Sequence, residues 1–469
     1  MFPARNSARR KLMLVPLVAA TYFMVSGGPY GIEDILGGAG FAWAIVILLI
    51  LPIIWSLPTT LMIGELASAI PAEGGFYVWV RRGLGPFWGY QESWLSLTAS
   101  IFDMALYPSI FVLYLGKFSP ALTSGFKGYA WSLAVVLICG LWNLRGAPAV
   151  GEGSVWLFVL LLSPYVVFVA LGFAKALLFH PPIEWSGPSS LNSGALSSGT
   201  AFSTAILVAM WNYMGWDNAS TIAQEVENPQ RNYPRAMVAA AILTAITYIL
   251  PLAAMALAGL SSASFSTGDW ADAARQVGGS GFVGAALALA VVAGGCINGI
   301  GMFNALGMSY TRLPLAMAQD AMLPAFFARV NRRGVPWVSV IFCSVAWALA
   351  LNLPFERLIS IDLILYGTSL LLEFAALVAL RIREPNLPRP FRAGNFPFAC
   401  LLGIGPTLLI AYALYASHDE KLGAPNSSLG NVSALIFASV IALLGPPLYA
   451  LTTAALRRSR NSHSTASTD

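Results

Sequence analysis

The residues of this chain that could do chemistry are carboxylates and hydroxyls set inside long apolar runs. Glu33 and Asp34 close the stretch Ser26-Gly27-Gly28-Pro29-Tyr30-Gly31-Ile32-Glu33-Asp34, and Asp217 follows Trp211-Asn212-Tyr213-Met214-Gly215-Trp216. Glu92, Ser96, Ser100, Asp103 and Tyr107 recur at helical spacing, as do Asp362, Tyr366, Ser369 and Glu373, so each set forms a polar stripe on an apolar helix. An acid surrounded by hydrocarbon is costly. It therefore faces a cavity, a partner or a permeating ion, and it can attract a cation or pass on a proton. This is chemistry of binding and movement rather than of bond making. No nucleophile paired with a base and no phosphate loop rises above background, so an enzyme is the least expected class, and no cofactor is expected. Cys139, Cys296, Cys343 and Cys400 stand singly in or beside apolar runs without metal-like spacing and read as packing residues; no metal and no disulfide framework is expected. His180, His418 and His463 fall in loops or the tail, which leaves no intramembrane imidazole to carry protons.

Two interrupted helices must position these groups. Glycines unwind a helix, and proline removes a donor and clashes with the preceding turn, so the stretch around Gly27 and Gly28 predicts a break in the first apolar helix. Inside lipid such a break is tolerated only where the freed backbone lines a cavity. Amides freed at Ser26, Gly27 and Gly28 would begin an outer half-helix, whose positive end attracts an anion such as a carboxylate. A glycine hinge or a close helix contact is the structural alternative. Glu33 lies three residues after Tyr30 and shares its face, which suits a cavity-facing role or a loop-pinning one; Asp34 is placed at the outer aqueous edge. A second polar, glycine-containing break appears at Trp211 to Gly215, five spans later. Paired breaks at corresponding places in two halves point to an inverted-repeat transporter.

Composition sets the surroundings. Apolar residues make up 57% and charged residues only 10%, far too little polar surface to cover a soluble globule of 469 residues. Apolar stretches of about 20 residues, enough to span a bilayer, recur between Leu12 and Arg457. We read twelve transmembrane helices in one domain, residues 1–469: a first repeat at 12–178 (spans one to five), a second at 200–380 (spans six to ten), and two more spans at 398–456. The loop from Phe179 to Gly199 is expected to be irregular, Thr311 to Gly334 re-entrant or interfacial, and the tail after Arg460 disordered. With the N-terminus inside, 20 of the 26 Lys and Arg residues fall on inner segments, so both termini are expected to be cytoplasmic. The net charge of +5 thus reflects topology and does not imply nucleic acid. The basic start leads through its apolar run to Glu33 and Asp34 instead of a small-residue cleavage site, so it reads as a retained first helix.

Signature residues carry a resemblance. Glu65, Pro71, Gly74-Gly75 and Tyr77, followed by Gly85-Pro86-Phe87-Trp88-Gly89, resemble the span two to three signature of the amino acid/polyamine/organocation superfamily. The Ser26 to Asp34 stretch, Ala105-Leu106-Tyr107-Pro108, Glu225-Val226-Glu227-Asn228-Pro229, Leu372-Glu373-Phe374 and Arg389-Pro390-Phe391 resemble the polyamine-uptake and L-type amino-acid transporters of plants. The resemblance implies an all-α, polytopic, five-plus-five inverted-repeat (LeuT-type) fold with discontinuous helices 1 and 6, working by alternating access. It also implies that Trp211 caps bound substrate, that Asp217 senses protons, and that Asp103 stands at the distal end of the substrate. Packing and helix capping are the structural alternatives for Trp211 and Asp217, and for Asp103 a partnership with a neighbouring tyrosine or backbone group. Some relatives carry a lysine in span five, but here the first lysine is Lys175, near the outer end of that span.

The candidate substrate-binding residues are therefore Ser26, Gly27, Gly28, Tyr30, Glu33, Asp103, Trp211, Asn212, Gly215 and Tyr366, and the candidate proton carriers are Asp217, Glu33 and Glu373. The expected partners are a small-molecule substrate (an amino acid or polyamine), a proton and the lipid bilayer of the cell membrane. Glu33 and Asp103 around one cavity would repel acidic solutes and favour cations, since opposite charges at about 4 Å gain on the order of 4 kcal/mol at an effective dielectric of 20, before desolvation. A sodium-independent amino-acid exchanger is the alternative, and a non-transporting nutrient sensor on the same fold a more distant one.

Overall fold

The computed structural model describes residues 11–183, 185, 196, 200–263, 265–351, 353, 355–418 and 432–465, the side chains of 355, 356 and 456–465 excepted. Arg5, Arg9, Arg10 and most of the loop from 179 to 199 lie outside the described residues. Every regular element among the described residues is helical, apart from isolated bridges joining Leu12 to Val226 and Glu73 to Ile222. The first half comprises α1 (Leu14–Val25), α2 (Glu33–Leu51), α3 (Leu57–Ala69), α4 (Phe76–Leu84), α5 (Pro86–Phe118), α6 (Pro120–Thr123), α7 (Phe126–Asn143) and α8 (Ala147–Phe179). The rest comprises α9 (Ala201–Trp211), α10 (Pro229–Leu257), α11 (Trp270–Gly278), α12 (Phe282–Tyr310), α13 (Arg312–Gln319), α14 (Trp337–Leu349), α15 (Phe355–Arg383), α16 (Phe396–Leu402), α17 (Ile404–Ala416) and α18 (Ala434–Thr465).

Eight helical stretches among the described residues are long and apolar enough to cross a membrane, and α1 and α14 are shorter apolar helices. Large apolar side chains such as Trp156, Val166, Leu408 and Leu443 face outwards, a surface that lipid accepts and water would penalise. The protein is an all-helical, multi-pass membrane protein. Gly40, at φ 71°, turns the chain within α2, so a short helix after Glu33 is followed by a long one. The long helix continues through a π turn at Pro52–Ser56 into α3, where proline's missing N–H relaxes the regular ladder.

At the centre, α5 packs along α12 and α15. Gly299 of α12 permits this closeness, because a Cβ there would press on the Tyr107 carbonyl of α5. Two connecting segments form short helices, and one expectation, the disordered tail, changes. The segment between α10 and α12 holds a helix, α11, that buries Trp270, Ala273, Ala274 and Val277 while Asp272 and Arg275 face outwards; at nine residues it is too short for a spanning-helix pattern to reveal. Thr311 to Gly334 resolves into α13, buried over Arg312 to Ala318, and a 3₁₀ turn at Ala325–Ala328. The backbone beyond Arg460, expected to be disordered, remains helical to Thr465, since extending a formed helix costs far less than starting one.

Candidate functional site

Both anticipated breaks are present, and they touch. Helix α1 stops at Val25, Ser26 is extended, Gly28 and Gly31 adopt φ of 71° and 92°, and the helix resumes at Glu33. Helix α9 stops at Trp211, Gly215 adopts φ 87°, and the chain continues as 3₁₀ turns over Trp216–Thr221 and Ala223–Glu225. Positive φ is the reason glycine stands at these turns. The Asn212 side-chain Nδ2 donates to the Gly31 carbonyl at 2.9 Å, and a Cβ on Gly215 would overlap the Met24 carbonyl, so the two unwound segments are in contact.

Where they meet lies a cavity of about 10 Å³, room for one water molecule. Its walls include Asp103 and Tyr107 of α5, Trp211, Asn212 and Gly215 of the second break, Tyr310 of α12 and Tyr366 of α15. Asp103 is buried and accepts from Tyr107 Oη (2.5 Å), Tyr310 Oη (3.3 Å) and Trp211 Nε1 (3.4 Å). The Trp211 ring also stacks on Tyr107, with centroids 6.2 Å apart. One turn below, Tyr366 donates to Asp217 at 2.5 Å and accepts the Gly215 amide at 3.1 Å. A carboxylate ringed by neutral donors, with an aromatic wall, can hold an ammonium group once the cavity widens.

Five of the ten candidate binding residues line this cavity: Asp103, Trp211, Asn212, Gly215 and Tyr366. The other five are placed beside it. Ser26 Oγ accepts the Gly28 amide at 3.1 Å, Gly27 packs against the Asn298 side chain so closely that a Cβ would overlap it, and Tyr30 donates to the Val291 carbonyl at 2.6 Å. Glu33 is fully buried and receives the Gly31 amide (2.5 Å), the Gly268 amide (3.2 Å) and the Tyr114 hydroxyl. Asp34 accepts the Thr267 amide and hydroxyl at 3.1 and 2.9 Å, and Trp270 donates to the Pro29 carbonyl at 2.7 Å. The segment leading into α11 thus latches onto the first break. Lys117 strengthens this latch by pairing with Asp269 at 2.8 Å. Burial pushes the Asp269 carboxyl up, but Lys117 and the Ser266 amide and hydroxyl outweigh it and hold the group below its ordinary range.

On the other side of the cavity, the start of α1 is tied to the end of the second break: Leu12 N donates to Glu225 O at 2.8 Å, and Glu227 N to Leu12 O at 2.9 Å. Arg312, fully buried, pairs with Glu225 at 2.8 Å. Glu65 of the span two to three signature pairs with Arg381 and, at 3.1 Å, with Arg389. Contacts thus tie the broken helices to neighbouring segments on both sides of the cavity. Among the proton-carrier candidates, Asp217 borders the site through Tyr366, Glu373 lies two turns further along α15 with its carboxyl facing that of Asp217 and, among the described residues, no N–H or hydroxyl donor, and Glu33 is engaged in the latch. The reading of single residues did not anticipate Tyr310, Met24, Met214 and Met302 in the cavity wall, or Gly268 and Trp270 in the latch. Tyr310 carried a faint signal as the polar end of an apolar run; the methionines carried none.

The family model for amino acid permeases matches residues 18–444. The chain is 34% identical over 417 residues to the polyamine transporter PUT1 of Oryza sativa subsp. japonica, covering 88% of this chain and 75% of that one. It is 33% identical over 415 residues to the polyamine transporter RMV1 of Arabidopsis thaliana, covering 87% and 82%. A similarity of 27% over 386 residues extends to an uncharacterized transporter of Legionella pneumophila, covering 76% and 79%.

Proposed function

The chain belongs to the amino acid permease family, and from that membership we propose that it is a secondary transporter of small cationic amines, polyamines or basic amino acids, coupled to protons. The observation that carries this reading is Asp103, a buried acid in the cavity wall whose partners are three neutral donors. Among the described residues, the two fully or nearly fully buried arginines, Arg312 and Arg381, are engaged with Glu225 and Glu65. A cationic solute is the partner that Asp103 suits, and the relatives named as polyamine transporters support the same class.

In this reading Asp103 holds the ammonium, Trp211 and Tyr107 form the aromatic wall, Asn212, Gly215 and Tyr366 complete the pocket, and Asp217 carries the proton. Ser26, Gly27, Gly28 and Tyr30 shape the first break, and Glu33 pins it to the outer latch. Twelve spans in a five-plus-five inverted repeat (12–178 and 200–380) would let the broken helices open alternately to either side, with both termini in the cytoplasm of a cell-membrane protein. Contacts on both sides of a one-water cavity support alternating access, because each set can part without the other. Uptake of labelled putrescine and arginine into proteoliposomes, with and without an inward proton gradient, tests the proposal. Gradient-stimulated uptake that glutamate does not inhibit is expected; equal inhibition by glutamate and putrescine would overturn it.

A further inference from the structure

Below the Tyr366–Asp217 contact lies a second group of acids that the cavity does not use. Glu373 is fully buried, and its oxygens meet no N–H or hydroxyl donor among the described residues; the group within its hydrogen-bonding reach is another acid, the Asp217 carboxyl. It follows Tyr366 by seven residues on α15, two helical turns along the same face. The charged groups that act on it most strongly are Asp217 and Glu92, both acids. Glu92 is fully buried on α5 and, among the described residues, receives the hydroxyls of Ser96 (2.8 Å) and Ser93 (3.3 Å). Arg381, further along the same helix, is engaged by Glu65 and by the carbonyls of Ala393, Gly394 and Asn395.

The acids fall on two levels. Helices α5 and α15 pack along each other; the acidic neighbours of Asp362 are Asp103 and Asp217 and those of Glu373 are Asp217 and Glu92, the order of an antiparallel pair with Asp217 between the levels. Asp103 and Glu92 are eleven residues apart, as are Asp362 and Glu373, which separates the levels by about 16 Å along the helix axes. One ammonium, with hydrogen bonds of about 3 Å, cannot serve both. A flexible chain carrying several amines can.

We propose that Glu373, with Glu92 and Asp217, forms a second ammonium subsite on the inner side of Tyr366, which takes the distal amine of a triamine or tetramine whose first amine sits at Asp103. This deepens the amine-transport reading and rests on it. The subsite makes the number and spacing of amines, rather than charge alone, the property the protein selects. Movement of Tyr366 away from Asp217 joins the two levels.

Binding of putrescine, spermidine and spermine to the purified full chain, wild type and with Glu373→Gln or Glu92→Gln, tests this. Loss of one charged hydrogen-bond partner is expected to lower the spermidine-to-putrescine affinity ratio about tenfold in each variant. Asp103→Asn is expected to weaken all three ligands. An unchanged ratio in both glutamine variants overturns the subsite and leaves amine transport standing. The same unchanged ratio, combined with loss of proton-driven accumulation in Glu373→Gln, overturns it by making Glu373 a proton carrier. Wild-type protein that binds none of the three amines overturns the transport reading and the subsite with it.

Discussion

The Tyr366 hydroxyl bridges Asp217 and the unwound backbone, donating to the carboxylate at 2.5 Å while it accepts the Gly215 amide at 3.1 Å. This single oxygen joins α15 to the second broken helix at the floor of the cavity. Any change in the charge of Asp217 therefore reaches the hinge glycine through one hydrogen-bond chain.

Asp217→Asn keeps a hydrogen-bond acceptor for Tyr366 but cannot take up or release a proton. Exchange of internal for external substrate is expected to persist, while accumulation driven by an imposed proton gradient is lost. Unchanged gradient-driven accumulation in proteoliposomes would remove Asp217 from coupling.

Asp103→Asn leaves the three neutral donors with a weaker, uncharged acceptor. Affinity for putrescine and arginine is expected to fall at least about tenfold, the cost of a charged hydrogen bond. Competition assays check this, and an equal loss for neutral amino acids would show that Asp103 does not set charge preference.

Trp211→Ala removes the ring that stacks on Tyr107 and donates to Asp103. Substrate affinity is expected to drop about tenfold or more through loss of one pocket wall and its cation–π contact. Size-exclusion behaviour should stay close to wild type. Wild-type affinity in a well-folded variant would assign Trp211 to packing.

Glu33→Ala strips the acceptor from the Gly31 and Gly268 amides and the Tyr114 hydroxyl. Each stranded buried donor costs about 1–3 kcal/mol, so thermal stability is expected to fall markedly, with Glu33→Gln intermediate. Melting of the purified variants measures this. Lys117→Ala, which removes a half-exposed pair, is expected to cost less than about 1 kcal/mol. A Glu33→Ala protein as stable as wild type would contradict the latch.

Both termini are expected on the cytoplasmic side. In a Cys400→Ser background, Ser7→Cys and Ser462→Cys should react with an impermeant thiol reagent only after the membrane is opened. Labelling of intact cells at either position would reverse the topology.

Much of this was legible in the sequence because membranes impose local rules. Apolar runs must be helices, and glycine next to proline at Gly28-Pro29 has to break the first helix wherever it packs. The stripe from Glu92 to Tyr107 likewise had to face inwards, since a helix displays its own periodicity. Which acid meets which group was not local. Glu33 and Asp103 are both acids beside an interrupted helix, yet Glu33 is saturated by the Gly31 amide, the Tyr114 hydroxyl and the Gly268 amide, the last from more than two hundred residues away, while Asp103 lies in the cavity wall. That distinction depends on where Gly268 and Trp270 come to rest. The helix that carries Trp270 is too short for periodicity to announce it. Likewise, Tyr366 joins Asp217 because α15 packs beside the second break, and no spacing within either segment encodes a contact across 149 residues. Tertiary packing alone chose which carboxylate is pinned and which lies in the cavity wall.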